Sequence, residues 1–170
     1  MRGKWAVGIP PRNFTWIIRD QLALSERPGG FAPNHRRVRR QEELIWLRGQ
    51  GFTRIVSLLV SQHNLQAYED EKLASAHYPL MPGTDPRPAL ADAFSDLDAS
   101  LRSGARVLVH QEELGERVMG VAAGFLVWSG RLPAQPQAIA LVEHLIGHQM
   151  GSAGRELVVA AAGLPPRQPV

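Results

Sequence analysis

The chain has 170 residues, 44% hydrophobic and 21% charged, with no cysteine. These proportions suit a globular domain long enough to bury roughly 70% of its unfolded surface. The missing cysteine excludes disulfides, thiolate metal sites and a cysteine nucleophile. The formal charge of +3 rests on an arginine-rich set in which Lys4 and Lys72 are the only lysines; that skew points to a GC-rich, bacterial genome and leaves anionic partners compatible but not demanded. The first twenty residues hold no signal-peptide run, and the longest apolar run, Val118 to Trp128, is short of the ~20 residues of a membrane span. A cytoplasmic protein with no membrane partner is expected. It should form one domain over 1–170, with 1–13 and 165–170 peripheral or frayed.

Phe14 to Ile18 reads as a strand rich in β-branched and aromatic residues, and Gln21 to Ser25 as a second, joined at Asp20. Arg27-Pro-Gly-Gly30 opens a loop. The basic run of residues 34–40 leads into a helix over Gln41 to Arg48, with Leu44, Ile45 and Leu47 as its apolar side and Gly49 and Gly51 as its stop. The run reads first as a solvated helix start, and second as a patch for nucleic acid or a phosphoprotein.

Ile55 to Val60 has the near-continuous apolar character of a strand buried on both faces. A helix over Leu65 to Ala76, a strand over Ala76 to Leu80 and a proline-bearing loop over Met81 to Pro88 follow. Leu90, Phe94, Leu97 and Leu101 share one face of a helix over Ala89 to Leu101. Arg106 to Val109 is a further buried strand, leading through residues 110–117 into an apolar helix over Val118 to Trp128. Helices over Gln135 to His148 and Glu156 to Ala162 close the chain. The alternation predicts an α/β fold, a central and mostly parallel sheet of four or five strands flanked by helices.

The segment from residue 107 to 128 carries the functional argument. A loop entering a helix offers unpaired backbone N–H groups and the positive end of the helix dipole, and an arginine at the helix start can fork two hydrogen bonds onto the same anion. Val107-Leu-Val-His110, then Arg117 and a Gly/Ala-bearing helix, resembles the cysteine-dependent protein tyrosine and dual-specificity phosphatases, whose signature is His-Cys, five residues, then Arg. His110 and Arg117 match the signature; Gln111 stands where the cysteine would be. Leu22 to Pro28, Arg54 to Leu59, and Tyr78-Pro-Leu80 with Asp85 resemble further segments of small members, so residues 14–150 are covered in order. The resemblance implies a dual-specificity-phosphatase-like fold, an anion-binding loop of His110, Gln111, Glu112, Glu113, Leu114, Gly115, Glu116 and Arg117, and Asp85 at the general-acid position.

The departures are chemical. A carboxamide is no nucleophile; Val118 replaces the hydroxyl that usually follows the arginine; Leu114 occupies the turn position where members often carry glycine, and Gly115 comes one place later. Three glutamates lie in the loop. At roughly 7 Å and an effective dielectric of about 40, each would oppose a bound dianion by about 2.4 kcal/mol. One resolution is that Arg117 pairs with Glu112, Glu113 or Glu116, a carboxylate replacing the lost phosphate.

The expectation is a catalytically inactive pseudophosphatase that binds a protein or a phosphorylated ligand, with no catalytic residue, cofactor or metal. The alternatives are a phosphoester hydrolase using non-cysteine chemistry, with His110 and Glu112 or Glu113 activating water, or a basic-surface nucleic-acid binder. His144 and His148 would share a helix face at i, i+4 spacing, but lack a third ligand with recognisable spacing. His63 reads as a polar loop residue near a ligand-binding sheet edge. Trp16, Trp46 and Trp128 read as core or interface residues.

Overall fold

The computed structural model describes residues 7–31 and 33–168. Its elements are β1 (Thr15–Ile18), β2 (Leu22–Ser25), α1 (Arg37–Gly49), β3 (Phe52–Ser57), α2 (Leu65–Asp70), β4 (Ala74–His77), α3 (Arg87–Arg102), β5 (Arg106–His110), α4 (Glu116–Trp128), α5 (Gln135–Ile146) and α6 (Ser152–Ala162). The strands form one sheet in the order β1-β2-β5-β3-β4, with β1 antiparallel to β2 and every other pairing parallel. Asp20, at φ 63°, makes the tight turn between β1 and β2, a conformation its short polar side chain tolerates.

β5 lies at the centre of the sheet, and its apolar residues serve two cores because strand side chains alternate between faces. Val107 and Val109 join Leu22, Leu24 and Val56 in the larger core, beneath α3, α4, α5 and α6. Leu108 joins Ala23 and Ile55 in the smaller one, beneath Leu44 and Leu47 of α1 and Tyr68 of α2. The pairing of α4 with α6 depends on missing side chains: a Cβ on Gly120 would overlap the carbonyl of Gly154, and one on Gly124 would lie 2.8 Å from Ala161 Cβ.

Several boundaries differ from the sequence reading, each for a local reason. β3 runs Phe52–Ser57 and ends before Leu58 and Leu59, which stay buried in the connection beyond it. α2 stops at Asp70, followed by Lys72 at φ 62°, and the chain re-enters the sheet at Ala74 rather than Ala76. α5 stops at Ile146 because Gly147 turns left-handed at φ 90°. α6 begins at Ser152, four residues before the expected start. Residues 165–168 are held rather than loose, while 169–170 lie outside the described residues: Trp128 Nε1 donates to Pro165 O at 2.9 Å, and Arg167 pairs with Asp98 at 3.2 Å.

Candidate anion-binding loop at the sheet edge

Ser25, His110 and Ser57 stand side by side at the carboxyl ends of three parallel strands, all shut off from solvent. Just beyond them leave the 26–36, 58–64 and 111–115 connections. Ligand crevices of parallel α/β sheets form at such an edge. Backbone bonds tie the connections together: Arg27 N–H donates to Glu112 O at 3.2 Å and Leu58 N–H to His110 O at 3.0 Å.

His110 is fully buried, with Nδ1 3.1 Å from Gln111 O and Nε2 2.9 Å from the Tyr68 hydroxyl. A carbonyl only accepts, so Nδ1 carries the proton and Nε2 accepts from the phenol. Burial is the main force lowering the imidazole pKa to about 4, with the Arg27 and His77 charges adding to it. His110 is therefore neutral and orders the loop. Burial likewise pushes the Tyr68 phenol up.

The loop itself differs from the paired arrangement considered for Arg117. Among the described residues, no carboxylate bridges Arg117, which lies half-buried in the first turn of α4. Glu112 instead meets Arg27, its Oε1 3.5 Å from Nη1. The Glu116 carboxylate lies against Gly151, where α6 begins, so it faces the positive end of one helix while sitting in the first turn of another. Glu113 is exposed. One of the three glutamates, Glu112, is thus paired elsewhere, and the electrostatic opposition to an anion is smaller than the sequence suggested. No residue of 111–117 adopts a left-handed conformation: Gly115 caps α4 at φ −105° with open space where a Cβ would be, and Leu114 packs on the larger core. The loop has its own turn geometry, and the shifted glycine is not a displaced copy of a strained one.

Asp85 is exposed, and Arg87 holds it through Nε at 3.0 Å and Nη2 at 2.8 Å. Those side-chain hydrogen bonds, then the backbone one from Arg87, keep its carboxyl below the usual range. A general acid must hold its proton, and this environment removes it. His144 and His148 do not share a helix face, since α5 ends before Gly147 and His148 lies outside it. His63 is exposed in the β3–α2 connection.

Sequence reasoning missed four residues around the loop: Arg27, Glu43, Asn64 and Tyr68. Glu43 is buried in α1, accepting from Gly29 N–H at 2.6 Å and from Arg39 Nε at 2.6 Å. Burial raises its pKa, against the pull of the Gly29 and Arg39 bonds. The signal was present in the spacing: Arg39, Arg40, Glu43, Leu44 and Leu47 form one helical stripe, so part of the basic run faces inward. Asn64, at φ 74°, accepts from Arg40 Nη1 at 2.7 Å.

No protein-family model and no curated protein matches the sequence. Solved structures do match. A kinase-associated phosphatase with its catalytic-site cysteine substituted by serine superposes with a TM-score of 0.70 at 22% identity, over 91% of this chain and 98% of that one. Human DUSP28 gives 0.67 at 18% identity, over 92% and 96%. A mouse dual specificity phosphatase complexed with zinc tungstate gives 0.67 at 17%, over 89% and 87%. The chain thus has the fold of the dual-specificity and protein tyrosine phosphatases, and its sequence contains no cysteine.

Proposed function

We propose that this protein is a non-catalytic phosphatase-fold protein that binds a phosphorylated ligand at the 110–117 loop without turning it over. One observation carries the reading: Arg117 has no internal carboxylate partner among the described residues, while Glu112 is paired with Arg27 and the Glu116 carboxylate lies against Gly151. An arginine used only as a structural residue would be expected to hold one of those carboxylates. The α4 N-terminus adds backbone donors, since its Gly115 cap offers no side chain. Against turnover stand Gln111 in place of a nucleophile, Val118 in place of a hydroxyl, a neutral His110 and an ionised Asp85.

The test is thermal unfolding in phosphate, sulfate, tungstate and chloride at matched ionic strength, with wild type and Arg117→Ala. An oxyanion at about 100 times its Kd adds roughly 2.7 kcal/mol to the folded state. The reading expects oxyanions to raise the wild-type midpoint further than that of the variant. An oxyanion response equal in the two proteins would leave the loop as a scaffold for a protein partner.

A further inference from the structure

The β2–α1 connection meets α1 and the β3–α2 connection at the same sheet edge, and two arginines there, Arg27 and Arg40, are not closely paired with a carboxylate among the described residues. Arg27 is 7% exposed. Among the described residues its side chain has a single partner, Glu112 Oε1 at 3.5 Å, and its buried Nε makes no hydrogen bond. A buried charged donor without an acceptor is costly. Among the described residues Arg40 hydrogen-bonds to a neutral acceptor alone, Asn64 Oδ1, and the Asn64 amide lies 3.4 Å from His35 Nε2. Arg39 differs, being held by Glu43 at 2.6 Å and Glu26 at 3.8 Å.

The backbone is shaped for this closeness. Gly29 sits at φ 91°, and a Cβ there would come within 2.7 Å of Arg40 Cβ and 2.8 Å of His35 Nε2. Only glycine lets the loop close on both. His35 has its pKa lowered first by burial and then by the charges of Arg27, Arg40, His63 and Arg39. The charges that dominate around this imidazole are positive.

We infer that Arg27, Arg40, Asn64 and His35 form a second anion subsite beside the loop, built for a phosphate group, with the Glu112 carboxylate as its resident occupant when no ligand is bound. Glu112 suits that part: it is half-exposed, and its contact with Arg27 is long for an ion pair. The subsite does not use Arg117. Together with the loop reading above, on which this last step rests, it implies a ligand carrying two phosphate groups rather than one.

The experiment is a pH titration of the histidine imidazoles by NMR on the full chain, in inorganic phosphate and in chloride at matched ionic strength. His35 is assigned by its loss in His35→Gln. A phosphate on the subsite places an opposite charge beside the ring, so the His35 pKa should rise by about 1 unit over its value in chloride. Arg117→Ala should keep this rise, Arg40→Gln should remove most of it, and Glu112→Gln should tighten the phosphate dependence several-fold. No rise in wild type overturns the subsite, as does a rise that disappears with Arg117→Ala or survives Arg40→Gln intact. Unchanged phosphate dependence in Glu112→Gln removes Glu112 as occupant. A His35 response that persists while thermal unfolding shows no Arg117-dependent oxyanion effect upholds the subsite and overturns the loop reading, so the two fail separately.

Discussion

The Tyr68 hydroxyl of α2 donates to His110 Nε2 at the end of β5, across 2.9 Å of solvent-free interior. This bond joins the smaller core to the first residue of the loop and fixes the histidine in its neutral form. It makes stability depend on pH in a definable way. The folded pKa of about 4 lies below the ordinary 6.5, so between these values the unfolded chain binds the proton more readily. Stability from this group is complete above pH ~6.5 and falls as pH drops towards 4, by up to about 3 kcal/mol. Urea unfolding from pH 4 to 7.5 should show His110→Gln with a flatter profile than wild type. Parallel profiles would mean that His110 is not the group responsible.

A second polar network lies on the opposite side of the sheet from α1. Arg54 of β3 forks onto Asp96 of α3 at 2.7 and 2.6 Å, and Tyr78 and Ser100 also donate to that carboxylate. Burial works to raise the Asp96 pKa, but the hydrogen bonds from Arg54, Tyr78 and Ser100 together outweigh it and lower the value. A depressed carboxyl pKa contributes stability above its unfolded value, lost as pH falls through the folded one. Asp96→Asn should cost about 2–3 kcal/mol near neutral pH, with the gap from wild type narrowing below pH ~4. Denaturant melts at pH 7 and pH 3.5 measure both parts, and a gap independent of pH would refute the assignment.

The α4–α6 contact separates glycines that matter from one that does not. Gly120→Ala would drive a methyl into the Gly154 carbonyl, and rigid backbone gives way poorly, so a loss of about 2–3 kcal/mol is expected. Gly115→Ala meets open space at an ordinary φ and should cost no more than about 1 kcal/mol. Chemical denaturation of both variants checks the contrast; equal losses would show that helix closeness is not what Gly120 provides.

The parts of the fold legible in the sequence were those with strong periodicity: the buried β5 run, the one-faced α3 and the strand–loop–helix around His110. What escaped was polar and long-range. Arg27 and Glu112 are far apart in the chain, and nothing at either position announces their pairing. Glu43 lay hidden because a carboxylate on an amphipathic helix is expected outside, and only the Arg39 and Gly29 donors make its burial tolerable. The supposed His144–His148 face failed on one residue, Gly147, whose left-handed conformation ends α5 early.

Arg117 and Glu43 should respond to truncation by very different amounts. Arg117 has no ion pair among the described residues, so Arg117→Ala should change stability by no more than ~0.5 kcal/mol in chloride buffer. Glu43→Ala strips the buried Gly29 N–H and the Arg39 guanidinium of their acceptor and should cost about 3–5 kcal/mol. Urea unfolding distinguishes them. A large loss on Arg117→Ala would make that arginine a structural residue and weaken the case for an oxyanion at the loop.

A thiol at position 111 should not by itself create a phosphatase. Gln111→Cys supplies a thiol at the sheet edge, but a phosphatase cycle also needs the thiolate stabilised, the leaving oxygen protonated and the thiol released. His110 is neutral above pH ~4 and offers no cationic help. Asp85 is held ionised by Arg87 on the surface, and Val118 carries no hydroxyl. Hydrolysis of p-nitrophenyl phosphate by Gln111→Cys is therefore expected to stay at background between pH 5 and 7. A burst of nitrophenol with no steady turnover would show that the thiol attacks and that release is the missing step. Sustained turnover abolished by Asp85→Asn would show that the Asp85–Arg87 pair opens when substrate binds, and that a thiol at position 111 is all the site lacks for turnover.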